Sequence, residues 1–210
     1  MSINLIYLAK ILVSPDYKQA IAYAFNRLRG ELSPKLTYHN LWHTQNDVVL
    51  GCLQIASEMH IAEEERRLLE VSAAFHDIGF VEEYANHELN GARIATEVLP
   101  AFGYSDREIT MVTGMIMATR LPQSPATLLE EILADADFGV LGREDFFMRN
   151  LGLKQEWANY GRVVSAKKWY EEQLAFLEGH AYFTKTARKL RDPLKQKHII
   201  MLKDLLQSLD

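Results

Sequence analysis

Leu68-Leu69-Glu70-Val71-Ser72-Ala73-Ala74-Phe75-His76-Asp77-Ile78-Gly79 is the stretch on which the fold class turns. Leu68, Val71, Phe75 and Ile78 recur at helical spacing and so form one apolar stripe that must be buried against other elements. His76 and Asp77 stand at the end of that stripe, just before Gly79, where a helix is expected to stop. Adjacent residues on a helix point about 100° apart, so both can face one ion only if it lies off the helix end, in a cleft between elements.

Outward from this stretch, apolar residues keep the helical period in nearly every segment, and alternating strand-like runs are absent. The pattern is all-α. Ser14-Pro15-Asp16 can cap a helix running to about Leu32, and Ser105-Asp106-Arg107-Glu108 spells a capping box. Ser33-Pro34 and Leu121-Pro122-Gln123-Ser124-Pro125 break the pattern, and Gly103 and Gly142, like Gly79, sit where helices would end. With 210 residues and 48% apolar content, one domain over residues 1–210 is expected. Its metal-binding core would span about residues 36–145, with C-terminal helices over 155–210 packed on it.

A net charge of −5 and a pI near 5.8 argue against broad binding to nucleic acid or to anionic membranes, which needs a basic surface. Cys52 is the only cysteine, which excludes an intrachain disulfide and fits the reducing cytoplasm. Met1 to Lys10 is apolar, but lacks the positive start and small-residue cleavage site of a leader, and reads as a first helix on the core. No run approaches the roughly 18 uncharged residues of a membrane span. From Arg162 to Lys197 basic residues dominate, with Lys167, Lys168, Arg188, Arg191 and Lys195 among them, and a solvated helix face is the expected reading.

Two further segments join histidines or carboxylates to an apolar frame. In Tyr38-His39-Asn40-Leu41-Trp42-His43, Asn40 can cap a helix that carries His43 in its first turn, facing inward near Val48 and Leu50. In Ile132-Leu133-Ala134-Asp135-Ala136-Asp137-Phe138, two carboxylates sit in an otherwise apolar helix, where they are costly unless paired or metal-bound. A His-Asp doublet arises by chance in roughly one such chain in three, so the doublet gains its weight from the company of His43 and Asp137. Two imidazoles and two carboxylates suit a divalent cation such as Mn, Fe, Ni, Co or Zn, with Mg a weaker fit because it prefers oxygen.

An upstream His, a His-Asp doublet and a downstream Asp, all on helices, resemble the HD superfamily of metal-dependent phosphohydrolases. The resemblance spans about Tyr38 to Gly142 and implies an all-α, HD-type helical bundle with His43, His76, Asp77 and Asp137 as metal ligands. Asp137 is preferred over Asp135 because Ala136-Asp137-Phe138 has the family's spelling, an Ala-Asp followed by a large apolar residue. Tyr38-His39-Asn40 also resembles the opening motif of cyclic-nucleotide phosphodiesterases in that superfamily, which implies that His39 is a proton donor to the leaving oxygen. Phe80 stands where the guanosine-tetraphosphate hydrolases and bacterial deoxynucleotidases have an acid, so the resemblance is to neither. Asn86-His87-Glu88 resembles the segment in which some members bind a second ion, with His87 as its ligand and Asp77 bridging.

The activity expected is hydrolysis of a phosphate ester, a nucleotide or another small phosphorylated metabolite, by a water activated on one or two divalent ions. Arg93, Arg120, Lys167, Lys168 and Arg188 are candidates for holding phosphate. Two other readings stay open: a di-iron oxygenase, for which His87 is the one obvious extra ligand and His60 is off-pattern, and a non-catalytic module that keeps its metal as structure. A homodimer is compatible with the sequence.

Overall fold

The computed structural model describes residues 14–209, so the helix expected over Met1 to Lys10 lies outside the described residues. Among the described residues there are nine α-helices and no strand. They are α1 (Tyr17–Glu31), α2 (Leu50–Glu58), α3 (Glu63–Phe75), α4 (His87–Val98), α5 (Asp106–Ala118), α6 (Leu128–Asp137), α7 (Phe146–Asn159), α8 (Ala166–Gly179) and α9 (Lys185–Gln207). Short 3-10 turns at Ile78–Val81, Leu99–Phe102 and Gly139–Gly142 follow α3, α4 and α6.

The helix starts are written locally. Asp16 accepts from Gln19 N at 3.0 Å and opens α1, and Ser105 and Glu108 form the reciprocal capping box of α5. Thr127, Ser165 and Thr184 cap α6, α8 and α9 in the same way. Each cap satisfies an amide that the helix itself leaves unpaired, and so fixes where the apolar stripe begins.

The stripes of α1 to α6 meet in one core containing Leu28, Ile55, Leu69, Phe75, Met115, Ile116 and Ile132. Burying such side chains is worth about 1.5–3 kcal/mol each. A smaller cluster of Phe146, Leu177, Ile199 and Leu202 with Tyr38, Val140 and Leu141 joins α7, α8 and α9 to the turn at Gly139–Gly142. Two glycines permit the close approaches this needs. A Cβ at Gly79 would stand 1.9 Å from the His87 carbonyl oxygen, and one at Gly142 would stand 2.3 Å from that of Arg191. Gly79 therefore lets the start of α4 close over the end of α3, while Gly142 seats α9.

Helix α2 is preceded by a π-helical stretch, His43–Val49, which the helical period does not announce. His43 and Val48 are buried there, but Leu50 is 55% exposed, contrary to the inward position expected for it. The wider turn shifts the register, so that Leu50 leaves the face it would share with His43 on a regular α-helix. The basic C-terminal run is likewise not all solvated face: Lys195 is only 3% exposed and donates to the His180 carbonyl. No helix among the described residues is long and apolar enough to cross a membrane.

Candidate metal centre

Three helix ends and one π-turn converge between the two clusters. Asn40 Oδ1 accepts from the amides of Trp42 and His43, which starts the helical run and sets His43 at its entrance. His76 is the cap residue that ends α3, Asp77 follows it, and Asp137 is the last residue of α6. The His76 Nε2 to Asp77 Oδ2 distance is 3.1 Å, and that from His43 Nε2 to the same oxygen is 3.7 Å. Asp137 Oδ1 lies 3.4 Å from His43 Nε2 and 3.6 Å from His76 Nε2. Ligand atoms held about 2.1 Å from an ion stand about 3.0–3.4 Å apart, so these spacings are close to those of a filled site.

The outer nitrogen of each imidazole is committed elsewhere. His43 Nδ1 donates to Asp47 Oδ2 at 3.1 Å, and His76 Nδ1 donates to the Ala73 carbonyl at 2.7 Å. A carboxylate and a carbonyl can only accept, so Nδ1 carries hydrogen in both rings and Nε2 is turned to the centre. Asp47 is in turn held by Arg149 at 2.8 Å and by Arg143, which also grips Asp145. At the centre His43 Nε2, His76 Nε2 and Asp77 Oδ2 are buried without a hydrogen-bond partner. Three orphaned polar atoms in one spot are costly unless something polar sits among them. His43, His76 and Asp137 offer ligand atoms within 4.8 Å of one another, and this donor set fits a divalent cation.

The electrostatics agree. Burial pushes the His43 imidazole down, yet bonding to Asp137 and Asp47 and the charge of Asp77 outweigh it and raise its pKa to about 10. His76 is raised for the same reason, against its burial, by Asp77 and Asp137. Burial also opposes ionisation of Asp77, but His76 and the other imidazoles hold its carboxyl far below the usual carboxylate range. A corner that draws protons this strongly draws any cation.

The companion residues fall into place around it. His87 Nε2 is 3.7 Å from Asp77 Oδ1 and 3.5 Å from Glu88 Oε1, and burial lowers its pKa, which leaves a neutral imidazole beside the shared carboxylate. Phe80, in the position an acid occupies elsewhere, stacks on His87 with ring centroids 3.8 Å apart and on His39 at 5.0 Å. His39 Nδ1 donates to Glu156 Oε1 at 2.5 Å, while Glu156 Oε2 accepts the amides of Tyr38 and His39, both at 2.9 Å. Burial favours the neutral acid at Glu156, but these bonds win and keep its pKa below normal, so an anion fixes the His39 ring.

Asp135, two residues before Asp137, turns away: it accepts from Phe183 N, Thr184 N and Thr184 Oγ1 at 2.7–2.8 Å and anchors the start of α9. His60, just past the Met59 cap of α2, has a positive φ of 54° and is not in the cluster. None of the five basic candidates lines the cavity beside the centre; Arg93 pairs with Glu82 and Glu97, and Arg188 donates to the Tyr182 carbonyl. Arg162 does line it. Asp47 could have been found from its i,i+4 spacing to His43. Glu156 could not, being 117 residues from His39.

No protein-family model and no curated protein matches the chain. Among solved structures, the crystal structure of a predicted HD superfamily hydrolase from an uncultured Thermotogales bacterium matches with a TM-score of 0.63 at 20% identity. The match covers 99% of this chain and 100% of that one. The fold of this chain is thus the all-α fold of the HD type, and a His-His-Asp cluster lies within it.

Proposed function

We propose that the protein is a metal-dependent phosphohydrolase acting on a small phosphorylated metabolite in the cytoplasm. The observation that carries this reading is the convergence of His43 Nε2, His76 Nε2 and Asp77 Oδ2, buried and unpartnered, with Asp137 at the edge of a cavity of about 550 Å³. The solved structure that shares this fold is named a predicted HD superfamily hydrolase, which supports hydrolysis as the reaction class.

His43, His76, Asp77 and Asp137 would hold the ion, and His87 with Glu88 and the second oxygen of Asp77 would hold another. A divalent ion in such a site lowers the pKa of water and offsets charge on a phosphoryl oxygen. Asp47 and the Ala73 carbonyl keep the two imidazoles aimed. With its Nδ1–H held by Glu156, His39 would act in the doubly protonated form, its second proton taken up from solvent, and deliver the proton on Nε2. As water adds to phosphorus and the bond to the leaving oxygen breaks, that proton neutralises the departing alkoxide. Phe80 keeps His39 and His87 in register.

The test is a panel of phosphomonoesters and phosphodiesters, run on metal-stripped protein reconstituted with Mn, Mg, Fe, Ni, Co or Zn at measured stoichiometry. Hydrolysis that requires the metal is expected. Two bound irons with oxygen uptake and no phosphate release would replace the proposal with oxygenase chemistry, and a tight metal without turnover would replace it with a structural role.

A further inference from the structure

The cavity that begins at His39, His87 and Asp137 continues away from the centre into a chamber walled by Phe138, Val140, Phe146, Trp157 and Phe176. Among the described residues its one Lys or Arg is Arg162, which is already used: the guanidinium lies 3.8 Å over the Trp157 ring and pairs with Glu172 at 2.9 Å. A long polyphosphate or a sugar would leave many oxygens unpaired against such walls. An apolar, ring-sized group would not.

Among the described residues the side-chain amides that line the chamber are Asn150 and Gln173, and they form a relay with a direction. Trp169 Nε1 can only donate, and it donates to Asn150 Oδ1 at 2.6 Å. That fixes the Asn150 amide, whose Nδ2 then donates to Gln173 Oε1 at 2.5 Å. Gln173 is thereby forced to present its NH2 group, which has no partner among the described residues and belongs to a side chain that lines the chamber. The relay ends on an N–H donor.

We infer that this chamber binds the leaving group of the substrate, and that the group is a flat, mainly apolar ring bearing a hydrogen-bond acceptor on the edge that meets Gln173. Gln173 is the residue that selects it. The inference rests on the phosphohydrolase reading for the word substrate, but the chamber's preference for such a ring does not. A site built to donate to an acceptor rejects the analogue that lacks one, because the donor is then buried unpaired.

The experiment uses two probes of matched shape, 4-hydroxyacetophenone and 4-ethylphenol, titrated calorimetrically into the full chain, together with hydrolysis of their phosphate esters. The wild type should bind the ketone about tenfold more tightly. Gln173→Met should erase that preference, Gln173→Glu should reverse it, and Phe176→Ala should weaken both probes alike, each variant being checked by circular dichroism. Equal wild-type affinity for the two probes, which needs no variant to measure, overturns the inference. So does a preference that survives in folded Gln173→Met, or binding untouched by Phe176→Ala. Selective binding without hydrolysis of either ester leaves this inference standing and removes the phosphohydrolase reading alone.

Discussion

The metal centre and the chamber that opens beside it at Asp137 leave polar atoms open in opposite senses. At the metal end, Asp47 and the Ala73 carbonyl tie down the outer nitrogen of each imidazole, and what remains inside is Nε2 of His43 and His76 beside Oδ2 of Asp77, a group that draws a proton or another cation. At the chamber end, Trp169 and Asn150 tie down oxygens in turn, and what remains is the NH2 group of Gln173. Both regions use one device: an outer partner with a single possible role leaves the inner atom open. One end is thereby built for a cation and the other for an acceptor.

The most damaging way to break the metal end is to remove a convergent atom. His76→Ala or Asp77→Ala should bring metal-dependent hydrolysis to the background rate while far-UV circular dichroism stays helical. Full activity in either variant would sink the ligand assignment. Glu156→Gln and His39→Gln act between the two ends: each should lower kcat by ~100-fold or more with little change in KM, and the loss should shrink for esters with acidic leaving groups. Asp47→Asn loosens the aim of His43 and also removes the charge that Arg143 and Arg149 pair with, so metal affinity should weaken ~10- to 100-fold, read by competition with a chelating dye, and the melting temperature should fall with it.

Asp135 and Asp137 sharpen the comparison further, because sequence neighbours should fail in different assays. Asp135→Ala leaves three donors at the start of α9 unpaired and should cost about 1–3 kcal/mol of stability at unchanged metal affinity. Asp137→Ala should do the reverse. The smallest effect concerns His180, which burial and the neighbouring Lys195 depress to about 4. The unfolded chain takes up a proton near 6.5 while the folded one refuses it, so stability is full above 6.5 and is lost as pH falls towards 4. Thermal melts of His180→Asn should show a shallower decline across that window.

Much of the helical layout could be read residue by residue. The boundaries of α1 and α5 follow from Asp16 and from the Ser105–Glu108 box, since caps and apolar stripes are interactions within about four residues. The π-turn at His43–Val49 escaped that reading and displaced Leu50 to the surface, because nothing in the apolar period marks the extra residue. Among the site residues, His43, His76 and Asp137 were visible as chemistry-bearing types in apolar settings. Their partners were not: Glu156 reaches His39 and Arg149 reaches Asp47 across more than 100 residues.

The order of His, His-Asp and Asp along the chain, and the helical period around them, were enough to name an all-α protein with a candidate metal corner. Packing settled the rest. Which of two aspartates faces the centre depends on α9 arriving beside Asp135 with three donors, and which way Gln173 turns depends on Trp169 and Asn150. Local periodicity carries no information on either, because both are hydrogen bonds between helices, and a carboxylate or an amide looks the same in sequence whichever neighbour it meets.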